Sequence, residues 1–185
     1  LDFMSTTKRY YPNLDFASYT LGYVKSNENG EMNGEMGVEL FYNKELTGTN
    51  GSLEYQKDAN GYKLVNSPEI KIDKIDGMDI HLTIDSNVQL IVERALNTYF
   101  EASGAKNGGI VVADAKTGKI LASASRPSFD PNIKNIQNYL DPLVSTAFEP
   151  GSTMKTYTYM AAIEKGTYKG DDTYMSGTME ISGHT

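Results

Sequence analysis

The chain of 185 residues contains no cysteine and only two histidines. Without cysteine it can form no disulfide, no thiolate metal site and no cysteine nucleophile. The histidines, His81 and His184, lie far apart in the sequence, and neither sits in a metal-ligand pattern. The sequence therefore favours neither a metal centre nor a Ser-His-Asp triad, and we predict no metal and no cofactor.

Basic residues and long apolar runs are also scarce. Lysine and arginine number 17 against 24 aspartate and glutamate residues, which gives a net charge of −7. Because no basic stripe is present to neutralise phosphates, we expect no nucleic-acid partner. No apolar run approaches the roughly 18 residues of a membrane span. The first residue is not methionine and no signal peptide follows, so we expect the chain to begin inside a longer protein.

The first 75 residues are rich in tyrosine, asparagine and glycine, a composition typical of short elements joined by tight turns. We predict a strand over residues 16–24 and a strand over residues 52–56, the latter followed by a hairpin turn at Asn60-Gly61 before residues 62–64. A short helix is predicted over residues 37–46. Its predicted inward-facing side chains are Val38, Leu40, Phe41 and Leu46.

A charged segment, residues 71–77, is the predicted domain boundary, and the periodicity after it is clearer. Alternating apolar residues predict a strand over residues 80–84. Ser86 and Gln89 are spaced as a capping box, which predicts a helix from there to about Ala102. The predicted buried stripe of this helix consists of Val88, Ile91, Val92, Ala95, Leu96, Tyr99 and Phe100.

A β-hairpin is predicted next. Its strands are residues 109–114 and 119–124, and Gly118 suits the left-handed position of its turn. The following segment, residues 126–143, contains three prolines and several asparagines and is predicted to be irregular coil.

The most informative segment, residues 148–155, reads Phe-Glu-Pro-Gly-Ser-Thr-Met-Lys and leads into a predicted helix over residues 152–165 that ends at Gly166. Residues three apart share a helix face, so the Ser152 hydroxyl and the Lys155 amine can meet. A serine nucleophile with a lysine partner needs this geometry. The alternative is that Ser152 is only a helix N-cap.

The Ser-x-x-Lys spacing occurs two more times in the chain. Ser5 and Lys8 lie in a polar stretch without helical periodicity, and Ser103 is followed by Gly104, where a helix should end. Context therefore singles out the pair Ser152 and Lys155.

Several motifs together resemble class B penicillin-binding proteins. The motifs are residues 76–85, 112–122, 127–132 and 148–155, in the order in which that family has them. Upstream, residues 9–13 and 48–52 are similar to the pedestal domain of Gram-positive members, especially those of the cell-division machinery. The resemblance spans nearly the whole chain.

The resemblance implies a peptidoglycan D,D-transpeptidase that cross-links stem peptides and is acylated by β-lactam antibiotics. By the resemblance, Ser152 attacks the carbonyl of the penultimate D-alanine, and its backbone amide contributes to the oxyanion hole. Lys155 would accept the hydroxyl proton, a role that requires burial and the helix dipole to favour its neutral form. The complete protein is expected at the extracytoplasmic face of the cell membrane, held by an anchor outside this chain, beside other cell-division and cell-wall synthesis proteins.

Two features depart from the family pattern. No Ser-x-Asn motif follows Ser152, and the Lys-Thr-Gly sequence at residues 116–118 precedes the nucleophile and sits in a predicted hairpin turn, so we assign it to the turn. The chain alone is therefore expected to be inactive, with the stripe from Val88 to Phe100 exposed.

The predicted fold class is α+β. Residues 1–75 would form the C-terminal part of a pedestal domain, and residues 76–185 the N-terminal part of a transpeptidase domain, an antiparallel sheet covered by helices. The Ser152 helix would lie buried between a helical lobe and the sheet, with Ala161 and Ala162 allowing close packing. Two alternatives remain open: a non-catalytic scaffold in which Ser152 is vestigial, and a β-lactamase or β-lactam sensor.

Overall fold

Short helices and three antiparallel hairpins make up the computed structural model, which describes residues 8–178 and 180–182. These residues form two compact units, the first of residues 8–146 and the second of residues 147–178 and 180–182. The helices of the first unit are α1 (Ser18–Leu21), α2 (Gly37–Phe41), α3 (Asn43–Thr47), α4 (Ser86–Ser103) and α5 (Pro142–Ser145). Its strands are β1 (Val24–Ser26), β2 (Met32–Gly34), β3 (Ser52–Tyr55), β4 (Glu69–Ile72), β5 (Gly108–Ala113) and β6 (Ile120–Arg126). The second unit contains a 3₁₀ turn, Gly151–Thr153, and helix α6, Met154–Glu164. The predicted α+β class is confirmed.

The hydrophobic core of the first unit forms where α4 packs on the β5–β6 hairpin. Val92, Leu96, Ala122 and Ala124 are buried there, and Val88, Ile110 and Val112 pack against them. The predicted hairpin is confirmed: β5 pairs with β6, and Gly118 has a φ of +73° in the turn. Alternate residues of β5 face α4 because side chains along a strand point to opposite faces.

The buried face of α4 differs from the predicted stripe. Ile91 and Tyr99 are each 66% exposed, whereas the polar residues Gln89 and Glu93 are buried beside Val92. The prediction was wrong at these positions because both polar side chains find hydrogen-bond partners inside the unit, which removes the cost of burying them. The expectation that the whole stripe would be exposed was wrong as well, since Val92 and Leu96 are covered by β6.

The cap of α4 lies one residue before the predicted one. Asp85 is the N-cap, and its carboxylate accepts hydrogen bonds from the backbone N–H groups of Asn87 and Val88, at 2.9 and 3.0 Å. Ser86 is the first helical residue. The Gln89 side chain does not turn back to the cap; it donates to the Ser123 carbonyl and accepts from the Ser123 N–H. Gln89, predicted to complete a capping box, therefore makes two hydrogen bonds to the backbone of β6 instead.

The predicted strand over residues 80–84 does not form. Within the described part of the chain, this segment is linked to β6 by two separate hydrogen bonds, from Thr83 Oγ1 to the Ile120 carbonyl (2.6 Å) and from the Asp85 N–H to the Leu121 carbonyl (2.9 Å). A ladder needs successive backbone bonds on alternate residues, and one backbone bond at the end of the segment does not make one.

Residues 16–24 form a turn and a helix where a strand was predicted. Ala17 takes a left-handed conformation with a φ of 46°, α1 follows it, and β1 begins only at Val24. The Ala17 N–H donates to Glu93 Oε1 at 3.0 Å, a contact across 76 residues that an alternating pattern cannot anticipate. Tyr19 and Tyr23, four residues apart, then pack on the same side against Phe129.

The predicted helix over residues 37–46 is divided into α2 and α3 at Tyr42. Leu40 and Phe41 are 54% and 78% exposed, so their predicted inward orientation was wrong, whereas Val38 and Leu46 are partly buried. Glu39 is buried instead, because its carboxylate accepts two hydrogen bonds from the Arg9 guanidinium, at 2.7 and 3.0 Å. This ion pair turns the polar side of α2 inward.

The hairpin turn predicted after residues 52–56 is closed by an antiparallel bridge between Lys57 and Lys63, and β3 itself pairs with a more distant strand. β3 pairs with β4, with Ser52 opposite Ile72. A bridge between Thr49 and Ile75 continues the pairing, so residues 71–77 begin within a strand. The chain is therefore paired where the sequence predicted a connector, and the domain boundary at residues 75–76 stays a prediction.

Two exposed turns share one hydrogen-bond pattern. In the turn of residues 27–31, Asn27 Oδ1 accepts from the N–H groups two and four residues further on. In the turn of residues 58–62, Asp58 Oδ1 does the same. The glycine before the closing residue has a positive φ in both, +78° at Gly30 and +87° at Gly61, which a residue without Cβ adopts readily. The predicted turn at Asn60-Gly61 is confirmed.

Residues 127–141 are irregular, as predicted, and α5 follows them. Phe129 is 1% exposed and meets the rings of Tyr19 and Tyr23 edge-on, with centroids 5.1 and 6.3 Å apart. The Asn132 carboxamide accepts from the Tyr11 N–H at 3.0 Å and donates to the Tyr11 carbonyl at 2.9 Å. Two contacts therefore hold the segment to the N-terminal part of the unit. One is the aromatic cluster around Phe129, and the other is the pair of hydrogen bonds between the Asn132 carboxamide and the Tyr11 backbone.

A buried carboxylate joins three parts of this unit. Glu93 Oε2 accepts from Arg126 Nη2 at 2.7 Å, and Glu93 Oε1 accepts from Gln89 Nε2 at 2.7 Å and from the Ala17 N–H at 3.0 Å. Arg126 also donates to Asn97 Oδ1 at 2.6 Å. The N-terminal segment, α4 and β6 therefore share one hydrogen-bonded ion pair.

Replacing Arg126 with alanine should destabilise the protein by about 3–5 kcal/mol, because Glu93 would remain buried without its counter-charge. Lys74→Ala is the matched control: its ion pair with Asp76 is 73% and 78% exposed, and its loss should cost at most about 1 kcal/mol. Urea unfolding of the complete protein measures both. Equal midpoints for the two variants would contradict the structural role of Arg126.

Candidate active site

Ser152 lies in the middle of the 3₁₀ turn that leads into α6. Pro150 and Gly151 place the turn: Gly151 has a φ of 55°, and the Pro150 carbonyl accepts from the Thr153 N–H at 3.3 Å and from the Thr153 hydroxyl at 2.5 Å. The predicted helix is therefore confirmed, although its first turn is the tighter 3₁₀ form. At its other end Gly166 has a φ of 66° and its N–H donates to the Ile163 carbonyl, as a helix-ending glycine does.

The Ser152 and Lys155 side chains are both exposed. In residues 147–178 no hydrogen bond joins the Ser152 hydroxyl to the Lys155 amine. The Ser152 N–H likewise has no acceptor among the described residues, as expected for one of the first amides of a helix. Among the described residues, the Ser152 hydroxyl and N–H have no hydrogen-bond partner, and the Lys155 amine belongs to a residue one turn further on. Their catalytic roles stay a prediction.

In the described residues α6 is exposed, and its burial between a helical lobe and the sheet stays a prediction. Apolar side chains cover several sides of α6 and remain exposed; they are Met154, Tyr157, Tyr159, Met160 and Ile163, at 48–64% exposure. Of the two alanines expected to allow close packing, Ala162 is partly buried and Ala161 is exposed. The packing that the unit does make includes an edge-on contact between Tyr159 and Tyr168, with centroids 5.5 Å apart.

The Lys-Thr-Gly sequence at residues 116–118 belongs to the β5–β6 turn, as predicted. Asp114 Oδ1 accepts from the Thr117 hydroxyl and the Thr117 N–H, both at 2.7 Å, and from the Lys116 N–H at 3.0 Å. The Thr117 hydroxyl, then the Thr117 and Lys116 backbone amides, lower the pKa of the Asp114 carboxyl below its usual range. Hydrogen bonds within the turn therefore account for the Thr117 hydroxyl and for the N–H groups of Lys116, Thr117 and Gly118.

Of the other two Ser-x-x-Lys pairs, the structure describes only Ser103 and Lys106 completely. Ser103 is the last residue of α4, its hydroxyl accepts from the Ala105 N–H at 3.3 Å, and Gly104 ends the helix with a φ of 65°. Ser5 lies outside the described residues, as does His184, and His81 is exposed in the segment before α4. Across residues 8–178 and 180–182, no cluster of histidine, aspartate and glutamate has the arrangement of a metal site.

The sequence analysis missed the polar residues that hold together the unit of residues 8–146. Glu93 and Arg126 form its buried ion pair, and Asn132 fixes the segment that precedes the Ser152 region in the sequence. One signal was available: Gln89 and Glu93, spaced by four, fall on the same face as Val92 and Leu96. Polar residues at helical spacing within an apolar stripe indicate a buried hydrogen-bonded pair.

Two family models match the chain. A model described as "Penicillin-binding Protein dimerisation domain" matches residues 1–82, and one described as "Penicillin binding protein transpeptidase domain" matches residues 108–185. Ser152 and Lys155 both fall within the second match.

Three known proteins are similar to the chain along most of its length. Stage V sporulation protein D of Bacillus subtilis is 38% identical over 183 residues, which is 95% of this chain and 27% of that protein. Peptidoglycan D,D-transpeptidase FtsI of Buchnera aphidicola is 36% identical over 168 residues, 88% of this chain and 28% of that protein. The crystal structure of Penicillin Binding Protein 2X from Streptococcus thermophilus matches with a TM-score of 0.72 at 32% identity, covering 94% of this chain and 27% of that chain. The chain thus spans less than a third of the length of these relatives.

Replacing Thr117 with valine should raise the pKa of Asp114 towards its ordinary value, because the strongest hydrogen bond to the carboxylate is lost. A carboxyl whose pKa is lowered in the folded protein stabilises the fold when the pH is above the ordinary carboxyl pKa. That contribution is lost as the pH falls through the lowered pKa of the folded protein. An NMR titration of the Asp114 carboxyl measures the change. Thr98→Val, which removes a hydroxyl bonded only to the Arg94 carbonyl, should leave Asp114 unaffected. An unchanged Asp114 titration in the Thr117 variant would be the contrary result.

Proposed function

Because the chain belongs to the class B penicillin-binding proteins, we propose that it is the part of a peptidoglycan D,D-transpeptidase that carries the serine nucleophile. The observation that carries this proposal is the position of Ser152. It follows Pro150-Gly151 at the start of a helix, has Lys155 one turn further on, and lies within the residues matched by the transpeptidase model.

In the first half-reaction, Ser152 Oγ attacks the carbonyl carbon of the penultimate D-alanine while its proton passes to the Lys155 amine. The negative charge on the carbonyl oxygen is stabilised by the Ser152 N–H, which has no acceptor among the described residues. Collapse of this intermediate breaks the peptide bond, and the nitrogen of the terminal D-alanine takes the proton that the Lys155 amine had accepted as it leaves. An acyl-enzyme ester on Ser152 remains.

In the second half-reaction, the amine of a neighbouring stem peptide attacks the ester carbonyl, and the Ser152 oxygen leaves and is reprotonated. The product is the peptide cross-link. A β-lactam enters by the same first step: attack opens its ring, and the leaving nitrogen stays tethered to the acyl group. The start of α6 favours both steps, because the positive end of a helix dipole stabilises negative charge on the serine oxygen.

The complete protein is proposed to work at the extracytoplasmic face of the cell membrane with other cell-wall synthesis proteins, held by an anchor beyond this chain. Every helix within residues 8–178 and 180–182 is too short or too polar to cross a bilayer. The exposed apolar sides of α6 support the proposal that further protein surrounds it, since a helix that is apolar on all sides is typically buried. We propose that the chain alone is inactive for this reason.

Replacing Ser152 with alanine in the complete protein should abolish covalent labelling by benzylpenicillin, a loss of about 10⁶-fold or more in the acylation rate. Intact mass spectrometry with peptide mapping measures the adduct. Ser103→Ala is the matched control, because it removes the serine of a Ser-x-x-Lys pair at a helix end and should leave labelling unchanged. Labelling that persists in the Ser152 variant would reject the nucleophile; absence of labelling in the unmodified protein would favour a scaffold, and hydrolytic turnover a β-lactamase.

Replacing Lys155 with alanine should slow acylation by about 10²–10⁴-fold, the usual contribution of a positioned proton acceptor. Stopped-flow measurement of benzylpenicillin acylation in the complete protein gives the rate, with Lys106→Ala as the control from the Ser103 pair. A Lys155 variant that acylated at the unmodified rate would refute the proton-acceptor role while leaving Ser152 as the nucleophile.

A further inference from the structure

Asparagine is followed by glycine five times in this chain. The pairs are Asn29-Gly30, Asn33-Gly34, Asn50-Gly51, Asn60-Gly61 and Asn107-Gly108. In such a pair the glycine nitrogen can attack the asparagine side-chain carbonyl carbon, forming a five-membered succinimide ring and releasing ammonia. Water then opens the ring to aspartate or to isoaspartate. Asparagine is a thermolabile residue for this reason, and glycine favours the attack because it has no Cβ to hinder ring closure.

Three of the five pairs are held in place by backbone packing. The Gly34 N–H donates to Asn43 Oδ1 at 2.7 Å, and a Cβ at Gly34 would lie 1.9 Å from the Glu39 carbonyl oxygen. A Cβ at Gly51 would lie 2.6 Å from the Ile72 carbonyl oxygen, so its backbone is pressed against β4. Gly108 pairs with Arg126 in the β5–β6 ladder. At each of these positions the attacking nitrogen can move only if a strand or a packed contact opens.

The other two pairs stand at the tips of the exposed turns of residues 27–31 and 58–62. A Cβ at Gly30 or Gly61 would meet nothing within 4 Å. Each glycine N–H makes a single hydrogen bond of 3.0 Å, to the carbonyl of Asn27 or Asp58, at an exposed site where opening costs little. The Asn29 and Asn60 side chains are exposed, and within the described residues their carboxamides make no hydrogen bond that would have to break.

We propose that Asn29 and Asn60 are sites of spontaneous deamidation in the folded protein. This modification lies beyond the proposed transpeptidase function and does not depend on it. Each event replaces a neutral carboxamide with a carboxylate in a chain whose net charge is already −7. The isoaspartate product also adds a methylene to the main chain between the two N–H groups that Asp58 Oδ1 binds, those of Asn60 and Tyr62. That product therefore breaks the hydrogen-bond pattern of its turn.

The test is a time course of the folded, complete protein in mildly alkaline buffer, followed by peptide mapping with mass spectrometry. We expect the peptides with Asn29 and Asn60 to deamidate at least about tenfold faster than those with Asn33, Asn50 and Asn107. A tenfold difference corresponds to about 1.4 kcal/mol of additional opening free energy at the packed sites.

The same chain in denaturing urea is the control, where all five pairs should react at similar rates because the packing is gone. Asn29→Gln and Asn60→Gln should each remove the reaction from their own peptide only, since the longer side chain disfavours the five-membered ring. Equal rates at all five sites in the folded protein would overturn the proposal. So would faster reaction at any of the three packed sites, or the absence of reaction at both turn tips.

Discussion

The buried carboxylate of Glu93 is the interaction on which the unit of residues 8–146 depends. A carboxylate can be held in a protein interior only if opposite charge and hydrogen-bond donors replace the water that it loses. Arg126, Gln89 and the Ala17 N–H supply these groups from β6, from α4 itself and from the N-terminal segment. Removing Arg126 leaves the carboxylate without its counter-charge, and removing a neutral donor leaves it one hydrogen bond short. The N-terminal segment, α4 and β6 are therefore energetically coupled through one carboxylate.

The motifs that place the chain in its family serve different physical purposes. Residues 127–132 provide packing: Phe129 fills an aromatic cluster, and Asn132 pairs with both backbone groups of Tyr11. Residues 114–118 provide a turn, closed by hydrogen bonds to Asp114. Residues 148–155 hold the exposed Ser152 and Lys155, the proposed groups for covalent chemistry. A family motif therefore does not by itself indicate a catalytic residue, and the contacts of its side chains decide which kind it is.

The parts of the fold that could be predicted from the sequence are those fixed by neighbours in the chain. The bounds of α4, the β5–β6 hairpin and the helix-ending Gly166 follow from periodicity and from the need for a positive φ. The predictions failed where a distant polar partner decides the outcome. Glu39 and Glu93 were not among the predicted inward-facing residues, yet Arg9 and Arg126, 30 and 33 residues away, neutralise them inside.

The same division applies to the candidate site. The approach of Pro150-Gly151, the 3₁₀ turn and the three-residue spacing fix where the Ser152 hydroxyl, its N–H and the Lys155 amine stand relative to one another, and all of this is local. Reactivity is not local, because an amine accepts a proton readily only when its surroundings disfavour the ammonium ion. The relative positions of the Ser152 and Lys155 groups therefore follow from this segment alone, whereas their reactivity depends on what surrounds α6.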